Sequence, residues 1–195
     1  MSWEPSVRVT RQSFSDAERE AFYTETLARN AEQLGLTDPP EVERVAWAQG
    51  PAEYGEAQAR CMDEAGFTTV SDGVGNWSFS PGVPESQGAA LNLASYQCEA
   101  RYPMDPEYAQ DWTEEQVGLV YDYWDEYYLP CMEAHGHPID DSGQPSREAY
   151  VAAFHTPDRS DWWPNEYPSV LPVDEQRVLA QTCPPMPPDS AMYGQ

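Results

Sequence analysis

The chain has 195 residues, of which 40% are apolar and 12% aromatic, enough to build one folded domain with its own core. Its 34 acidic residues against 10 basic ones give a formal net charge of −24. A charge of this sign repels phosphate backbones and anionic membrane surfaces, so we expect no nucleic-acid partner. No stretch approaches the roughly 18 apolar residues of a membrane span.

Residues that start and stop helices divide the chain into about seven predicted helices. Capping boxes at Ser15 and Thr113 begin the two longest. Pro130 is expected to kink the second of these, because proline removes one backbone hydrogen bond and clashes with the preceding turn. The predicted helices cover residues 15–34, 40–49, 51–65, 85–101, 113–135, 147–155 and 173–182.

The segment from residue 67 to residue 80 has a β pattern. Asp72-Gly73 and Gly75-Asn76 lie there among Thr, Val, Trp and Phe residues, which predicts a β-hairpin. The Pro-rich tail from Pro184 is predicted to be extended. The fold class is therefore mainly α, with one small β-hairpin.

The four cysteines predict two disulfides. They contain no C-x-x-C pair, which disfavours a zinc site built from all four thiolates, and they allow three pairings. A weak internal repeat, Cys-Met-x-x-x-Gly at Cys61 and again at Cys131, is followed each time by a later cysteine. We therefore expect the pairs Cys61–Cys98 and Cys131–Cys183, each contributing about 4 kcal/mol in the chain-entropy model.

These disulfides would staple two halves of one domain. We expect the following organisation: a flexible segment over residues 1–14, a domain over 15–188 with pseudo-halves 15–103 and 107–188, and a tail over 189–195. Because disulfides persist in oxidising compartments, we expect an exported protein, extracellular or in the cell envelope, whose export signal has been removed.

Aromatic residues are the main candidates for ligand binding. Ring faces near carboxylates suit sugars, organic cations or Pro-rich peptides. In the helix over 113–135, the aromatic side chains of Tyr121, Trp124 and Tyr128 are spaced i, i+3 and i+7 and are expected to form a core stripe instead. The candidate ligand-binding residues are Trp77 in the hairpin and Trp162, Trp163 and Tyr167 in the loop over 156–172.

His135 and His137 are the candidate metal ligands. Together with Cys131 and Met132 they offer soft nitrogen and sulfur donors of the kind that hold copper. Two features argue against this site: Cys131 is expected in a disulfide, and His135 at a helix C-terminus is also explained by the helix dipole.

No catalytic residue and no cofactor are predicted. The chain lacks the G-x-S-x-G, H-E-x-x-H, Walker A and dinucleotide motifs. A glycosidase needs two carboxylates in one cleft, but among 34 acidic residues a sequence pair carries no information.

Several short motifs together resemble a family of uncharacterised exported proteins and lipoproteins from high-GC Gram-positive (actinobacterial) bacteria. The resemblance implies an envelope location, with membrane attachment only through an N-terminal anchor that this chain would have lost, and it supplies no catalytic residue. The motifs span residues 36–185 and include Leu36-Thr37-Asp38-Pro39-Pro40, Cys61-Met62 with Gly66-Phe67, Tyr96-Gln97-Cys98 with Tyr102-Pro103, Leu119 with Tyr121 and Tyr123, Pro130-Cys131 with Gly136, Pro145-Ser146-Arg147 and Cys183-Pro184-Pro185.

The leading functional hypothesis is a non-enzymatic envelope module that binds a wall polymer, a peptide or a protein partner. The alternatives are an envelope hydrolase that uses paired carboxylates and a metal-binding accessory protein.

Overall fold

The fold is mainly α-helical, with one small antiparallel hairpin and two disulfides, as the sequence predicts. The computed structural model describes residues 3–5, 7–10, 13–71, 75–164 and 171–194. The chain forms two compact units, one comprising Ser13–Gln110 and the other Met1–Gln12 together with Asp111–Gln195. No described helix is long and apolar enough to cross a membrane.

The Ser13–Gln110 unit contains four helices, a short 3-10 turn and the hairpin within its described residues. Thr69, Val70 and Ser71 of the hairpin pair with Phe79, Ser78 and Trp77 respectively. The turn residues Asp72 and Gly73, which predicted the hairpin, lie outside the described residues. The elements are α1 (Asp16–Gln33), α2 (Pro51–Glu64), β1 (Thr69–Ser71), β2 (Trp77–Phe79), the 3-10 turn (Glu85–Gln87), α3 (Gly88–Arg101) and α4 (Pro106–Ala109).

The predicted helix over residues 40–49 is wrong. This segment runs without helix and pairs with the chain that follows α3, through a single parallel bridge between Ala48 and Met104. The Ala48 N–H donates to the Pro103 carbonyl at 2.9 Å, and the Ala48 carbonyl accepts from the Asp105 N–H at 3.0 Å. The backbone groups thus find partners far away in sequence, and this outweighs a weak local helix preference.

The Cys61–Cys98 disulfide joins α2 to α3, with 5.7 Å between the Cα atoms. Around it, Met62, Phe67 and Ala94 form a buried cluster. Trp77 and Phe79, two residues apart on one face of β2, pack against this cluster with other half-buried apolar side chains. The disulfide therefore lies at the centre of the contact between the hairpin and the two helices.

A buried ion pair ties α1 to α4. Asp105 is fully buried, caps α4 by accepting from the Glu107 N–H, and forms a short salt bridge with Arg19 of α1. The other guanidinium nitrogen of Arg19 contacts Glu107 at 3.3 Å. A buried carboxylate requires such partners, because an unpaired charge in the interior is costly.

The second unit is built around one long helical run. This run begins at the predicted capping box of Thr113 and Gln116 and continues through a π-helical segment. The elements are α5 (Glu114–Tyr123), the π segment (Trp124–Tyr128), α6 (Leu129–Ala134), α7 (Arg147–Ala153), α8 (Val173–Thr182) and α9 (Asp189–Met192).

The π segment accommodates Pro130. In the turn before the proline, the Leu129 N–H donates to the Trp124 carbonyl, an i to i−5 bond. Proline has no N–H to donate, and the wider π turn relieves the crowding that a proline ring causes inside an α-helix.

The Cys131–Cys183 disulfide links α6 to the residue after α8, with 5.8 Å between the Cα atoms. Beyond it, the prediction of an extended tail is wrong at its end, because residues Asp189–Met192 form α9. Met192 is buried, and its carbonyl accepts a 2.9 Å bond from the Gln116 side chain. This bond to α5 and the burial of Met192 outweigh the extended preference of the prolines before it.

Candidate functional site

The long helical run holds the Pro-rich tail by the polar tips of its aromatic side chains. Phenol and indole groups donate to backbone carbonyls, the pattern by which aromatic grooves grip extended Pro-rich peptides. Prolines favour this contact because they offer carbonyl acceptors without competing N–H donors. Two bonds reach the tail, from Tyr123 Oη to the Pro184 carbonyl (2.8 Å) and from Trp124 Nε1 to the Pro185 carbonyl (2.8 Å). A third bond, from Tyr127 Oη, reaches the carbonyl of Thr182 at the end of α8 (3.4 Å).

Trp3, from the N-terminal segment, packs on the same aromatic residues. Its ring meets Tyr123 edge-on, with 4.9 Å between ring centroids. Its indole Nε1 donates to Glu126 Oε2 at 3.1 Å. The described part of the segment that the sequence gives as flexible therefore contributes to this unit, and Val9 in it is buried.

A cavity of about 340 Å³ lies between these elements, and we call it the aromatic groove. A second cavity of about 460 Å³ shares Trp3 and Pro188 with it and is also lined by Arg8. The volume of the aromatic groove is at the lower end of the range of small-ligand pockets. Its lining residues are Trp3, Tyr123, Tyr127, Pro184, Met186 and Pro188.

The aromatic groove is apolar inside and has an acidic side chain beside one of its walls. The polar tips of Trp3, Tyr123 and Tyr127 make the hydrogen bonds given above, so the wall offers ring faces, proline rings and a thioether. Glu126, which is exposed, holds a carboxylate next to the Trp3 ring. Near Pro188, burial raises the pKa of Asp189 and so favours the neutral form of that carboxyl; the negative charge beside the groove is that of Glu126. The site therefore suits an apolar ligand that carries positive charge.

The predicted ligand-binding residues Trp162 and Trp163 lie together elsewhere in this unit. Both are half-buried and contact Trp124, at centroid distances of 5.7 and 4.6 Å. Trp162 also packs on Tyr121 and Tyr150, and its Nε1 is buried without a hydrogen-bond partner among the described residues. Their ring contacts are with the core, which leaves less of each ring available to a ligand.

The other two predicted ligand-binding residues are not in this cluster. Tyr167 lies outside the described residues. Trp77 belongs to the hairpin of the Ser13–Gln110 unit, where it packs edge-on against Phe79 with 5.2 Å between centroids.

Of the two predicted metal ligands, the structure brings only His135 to the cysteines. Its ring nitrogen and the sulfurs of Cys131 and Cys183 all lie within 4.8 Å of one another. Gly136 follows with φ +83°, a left-handed residue that ends the helix. His137 therefore leaves the helical face that carries Cys131 and His135.

A carboxyl of unusual environment lies in the Ser13–Gln110 unit. Burial raises the pKa of Glu99, and the Tyr54 hydroxyl donates to it at 2.5 Å. Burial and the neighbouring carboxyl also raise the pKa of Tyr54. Glu99 and the buried Asp105 are thus each bound by a partner from their own unit, an arrangement that explains both carboxyls structurally.

The main residues of the aromatic groove are not predicted by the sequence patterns. The sequence patterns place Trp3 in a flexible segment, and Pro184, Met186 and Pro188 in an extended tail. The available signal was the coincidence of a run rich in prolines with a helix rich in aromatic residues. Comparison of the chain with protein-family models, with curated proteins and with solved structures gives no match.

Proposed function

We propose that this protein is an exported, non-enzymatic binding module whose aromatic groove takes an extended peptide segment with prolines and basic side chains. The observation that carries the proposal is the groove itself: an apolar cavity walled by aromatic and proline rings, with the exposed carboxylate of Glu126 beside it.

The protein's own tail supports the choice of a Pro-rich ligand. Tyr123 and Trp124 already donate to the carbonyls of Pro184 and Pro185 in this tail. The groove also presents the Trp3 ring and Pro188. A second extended segment bound there would therefore contact aromatic and proline rings, as the tail does. Proline-rich segments lose little conformational entropy on binding, since their extended form is already populated.

Charge supports a basic ligand. The net charge of −24 attracts cations over the whole surface and speeds their association. Within the groove, an arginine beside Glu126 would also lie near the Trp3 ring, where cation–π attraction adds to the ion pair. A sugar fits this groove less well, because the polar tips of the groove wall already form hydrogen bonds within the protein.

The proposed location rests on the disulfides and on the resemblance to exported actinobacterial proteins. Both described disulfides need an oxidising compartment to persist. Fractionation of cells that express the chain from its own gene tests this: we expect it outside the cytoplasm with all cysteines oxidised. Cytoplasmic protein with four alkylatable thiols would overturn the location.

Fluorescence anisotropy tests the ligand class. The probe is a short fluorescein-labelled peptide of alternating arginine, proline and leucine; companion probes replace arginine by glutamate, or proline by alanine. We expect saturable binding of the first probe only. Raising the ionic strength to about 0.15 M, where the Debye screening length is about 8 Å, should weaken this binding. Equal binding of all three probes, or binding of wall saccharides with none of the peptide, would overturn the proposal.

Two variants locate the binding. Trp3→Ala removes one wall of the groove and should weaken binding about 30-fold, which corresponds to the 2 kcal/mol of an interface hot spot. Glu126→Gln keeps an acceptor for the Trp3 indole but removes the charge, and should weaken binding up to about fivefold. Glu133→Gln, at an exposed position on α6, is the matched control and should leave affinity unchanged.

A further inference from the structure

Two sulfurs and an imidazole converge where α6 ends. Cys131 and His135 are four residues apart on one helical face, and the His135 N–H donates to the Cys131 carbonyl at 3.1 Å. Cys183 reaches the same point from the end of α8. The two sulfurs and a His135 ring nitrogen lie within 4.8 Å of one another.

The cluster has two chemical states. In the disulfide, the two sulfurs are bonded to each other and are not thiolate ligands. When the disulfide is reduced, the same atoms are two thiols and an imidazole, which is three of the four ligands that zinc binds tetrahedrally. We propose that Cys131, His135 and Cys183 form a redox-gated site, a disulfide when oxidised and a Zn²⁺ site when reduced.

The distances suit a zinc ion. With zinc–sulfur bonds of about 2.3 Å and zinc–nitrogen bonds of about 2.0–2.1 Å, tetrahedral geometry places the ligand atoms about 3.6–3.8 Å apart. The three atoms already lie within 4.8 Å of one another, so we expect rotation of the side chains to bring them to this spacing once the disulfide is open. His135 is exposed while both cysteines are buried, so the fourth position would face solvent on the histidine side.

The ligand set differs from the one expected from sequence alone. Met132 is fully buried, and His137 follows the left-handed Gly136. Among the described residues, the clustered ligand atoms come from Cys131, His135 and Cys183. His137 is therefore the natural control residue for any test of the site.

The site opens when the Cys131–Cys183 disulfide is reduced, and a dithiol can supply the two electrons that this reduction needs. The dithiol transfers two electrons and two protons to the Cys131–Cys183 bond, giving two cysteine thiols and a cyclic disulfide of the reductant. Zn²⁺ then binds both sulfurs and displaces the two thiol protons to solvent. The covalent link between α6 and the residue before Pro184 is replaced by a metal link.

Cobalt substitution tests the site in the full-length protein. After anaerobic reduction with a dithiol and removal of the reductant, Co²⁺ should produce thiolate-to-cobalt charge-transfer absorption, which Zn²⁺ then abolishes by displacement. The oxidised protein should give no such absorption. Cys131→Ser should weaken the charge-transfer band, because one of the two thiolate ligands is lost, whereas Cys61→Ser should retain the band at full intensity, which separates this pair from the other reduced disulfide.

The histidine variants decide whether the imidazole is a ligand. His135→Ala should weaken Co²⁺ binding at least tenfold, and His137→Ala should leave it unchanged. Equal affinity in wild type and His135→Ala would overturn the proposal. The absence of charge-transfer absorption in the reduced protein would also overturn it. This holds if circular dichroism shows that the reduced protein is folded, and equally if it shows that the protein is unfolded and that the metal does not refold it.

Discussion

Replacing Gly55 by alanine should destabilise the protein, although the position is inside a helix where alanine is normally preferred. Gly55 is buried in α2 and faces Gly75, two residues before β2. A Cβ atom there would lie 1.8 Å from the Gly75 carbonyl oxygen and 2.8 Å from the Gly75 Cα. The obstacle is the Gly75 backbone, which cannot rotate away as a side chain would.

The size of the effect follows from these distances. An ordinary contact begins at 3.4 Å, so the hairpin end must withdraw by about 1.6 Å from the 1.8 Å position. Overpacking of this kind costs about 1–3 kcal/mol and occasionally more, and the better helix propensity of alanine offsets about 1 kcal/mol. Because rigid backbone must move, we expect a net loss of about 2 kcal/mol, or roughly a 10 °C fall in midpoint for a unit of this size.

Thermal unfolding followed by circular dichroism, with the disulfides intact, measures this loss. Gly88→Ala is the matched control: Gly88 begins α3, and a Cβ atom there meets nothing within 4 Å. It should leave the midpoint unchanged or raise it, since alanine lowers the entropy of the unfolded chain. If Gly55→Ala also leaves the midpoint unchanged or raises it, the close approach of α2 and the hairpin is refuted.

Gly118 in α5 provides an intermediate case. A Cβ atom there would lie 2.4 Å from Nη2 of Arg147, which is the flexible end of a side chain. Gly118→Ala should therefore cost less than Gly55→Ala. Combining it with Arg147→Ala should remove the steric part of the cost, so a double-mutant cycle in which the two changes are simply additive contradicts this explanation.

Three further predictions concern the buried polar groups. Arg19→Ala should cost about 3 kcal/mol in urea unfolding, because it leaves the fully buried Asp105 without its main counter-charge; a loss below about 1 kcal/mol would contradict the role of this pair. Since burial raises the pKa of Glu99, the folded state binds a proton more tightly than the unfolded state, so stability should fall as the pH rises from the ordinary glutamate value through the raised one; Glu99→Gln should flatten this dependence in unfolding curves measured across that range, and an unchanged dependence would assign it to other groups. Trp124→Phe should cost about 1–3 kcal/mol in chemical denaturation because it leaves the Pro185 carbonyl without its 2.8 Å donor; a variant as stable as wild type would show that this bond contributes nothing.

The sequence predicts the local hydrogen-bond patterns correctly. The capping boxes at Ser15 and Thr113 both form, since each depends only on groups three residues apart. The pairing of the four cysteines is also confirmed. It could be inferred because the two Cys-Met-x-x-x-Gly motifs mark equivalent helix ends in the two parts of the chain.

Distant partners account for the errors. Residues 40–49 do not form the predicted helix, because Ala48 pairs with the chain around Pro103. The tail gained α9, whose buried Met192 accepts from Gln116. In both cases the deciding bond joins residues more than 50 positions apart, and the local propensity that the sequence displays is too weak to predict such a partner.

The sequence by itself determined the core stripe of the long helical run, since Tyr121, Trp124 and Tyr128 are all buried as their helical spacing requires. Only the tertiary structure decided the candidate site, because a groove is a property of several segments at once. Trp3 and the Pro-rich tail form the groove because they contact the aromatic side chains of this helical run. His135 belongs to a cluster of ligand atoms because Cys183 lies beside it. No local sequence pattern predicts such long-range contacts, because side-chain periodicity specifies which face of a helix is buried but not which distant segment covers it.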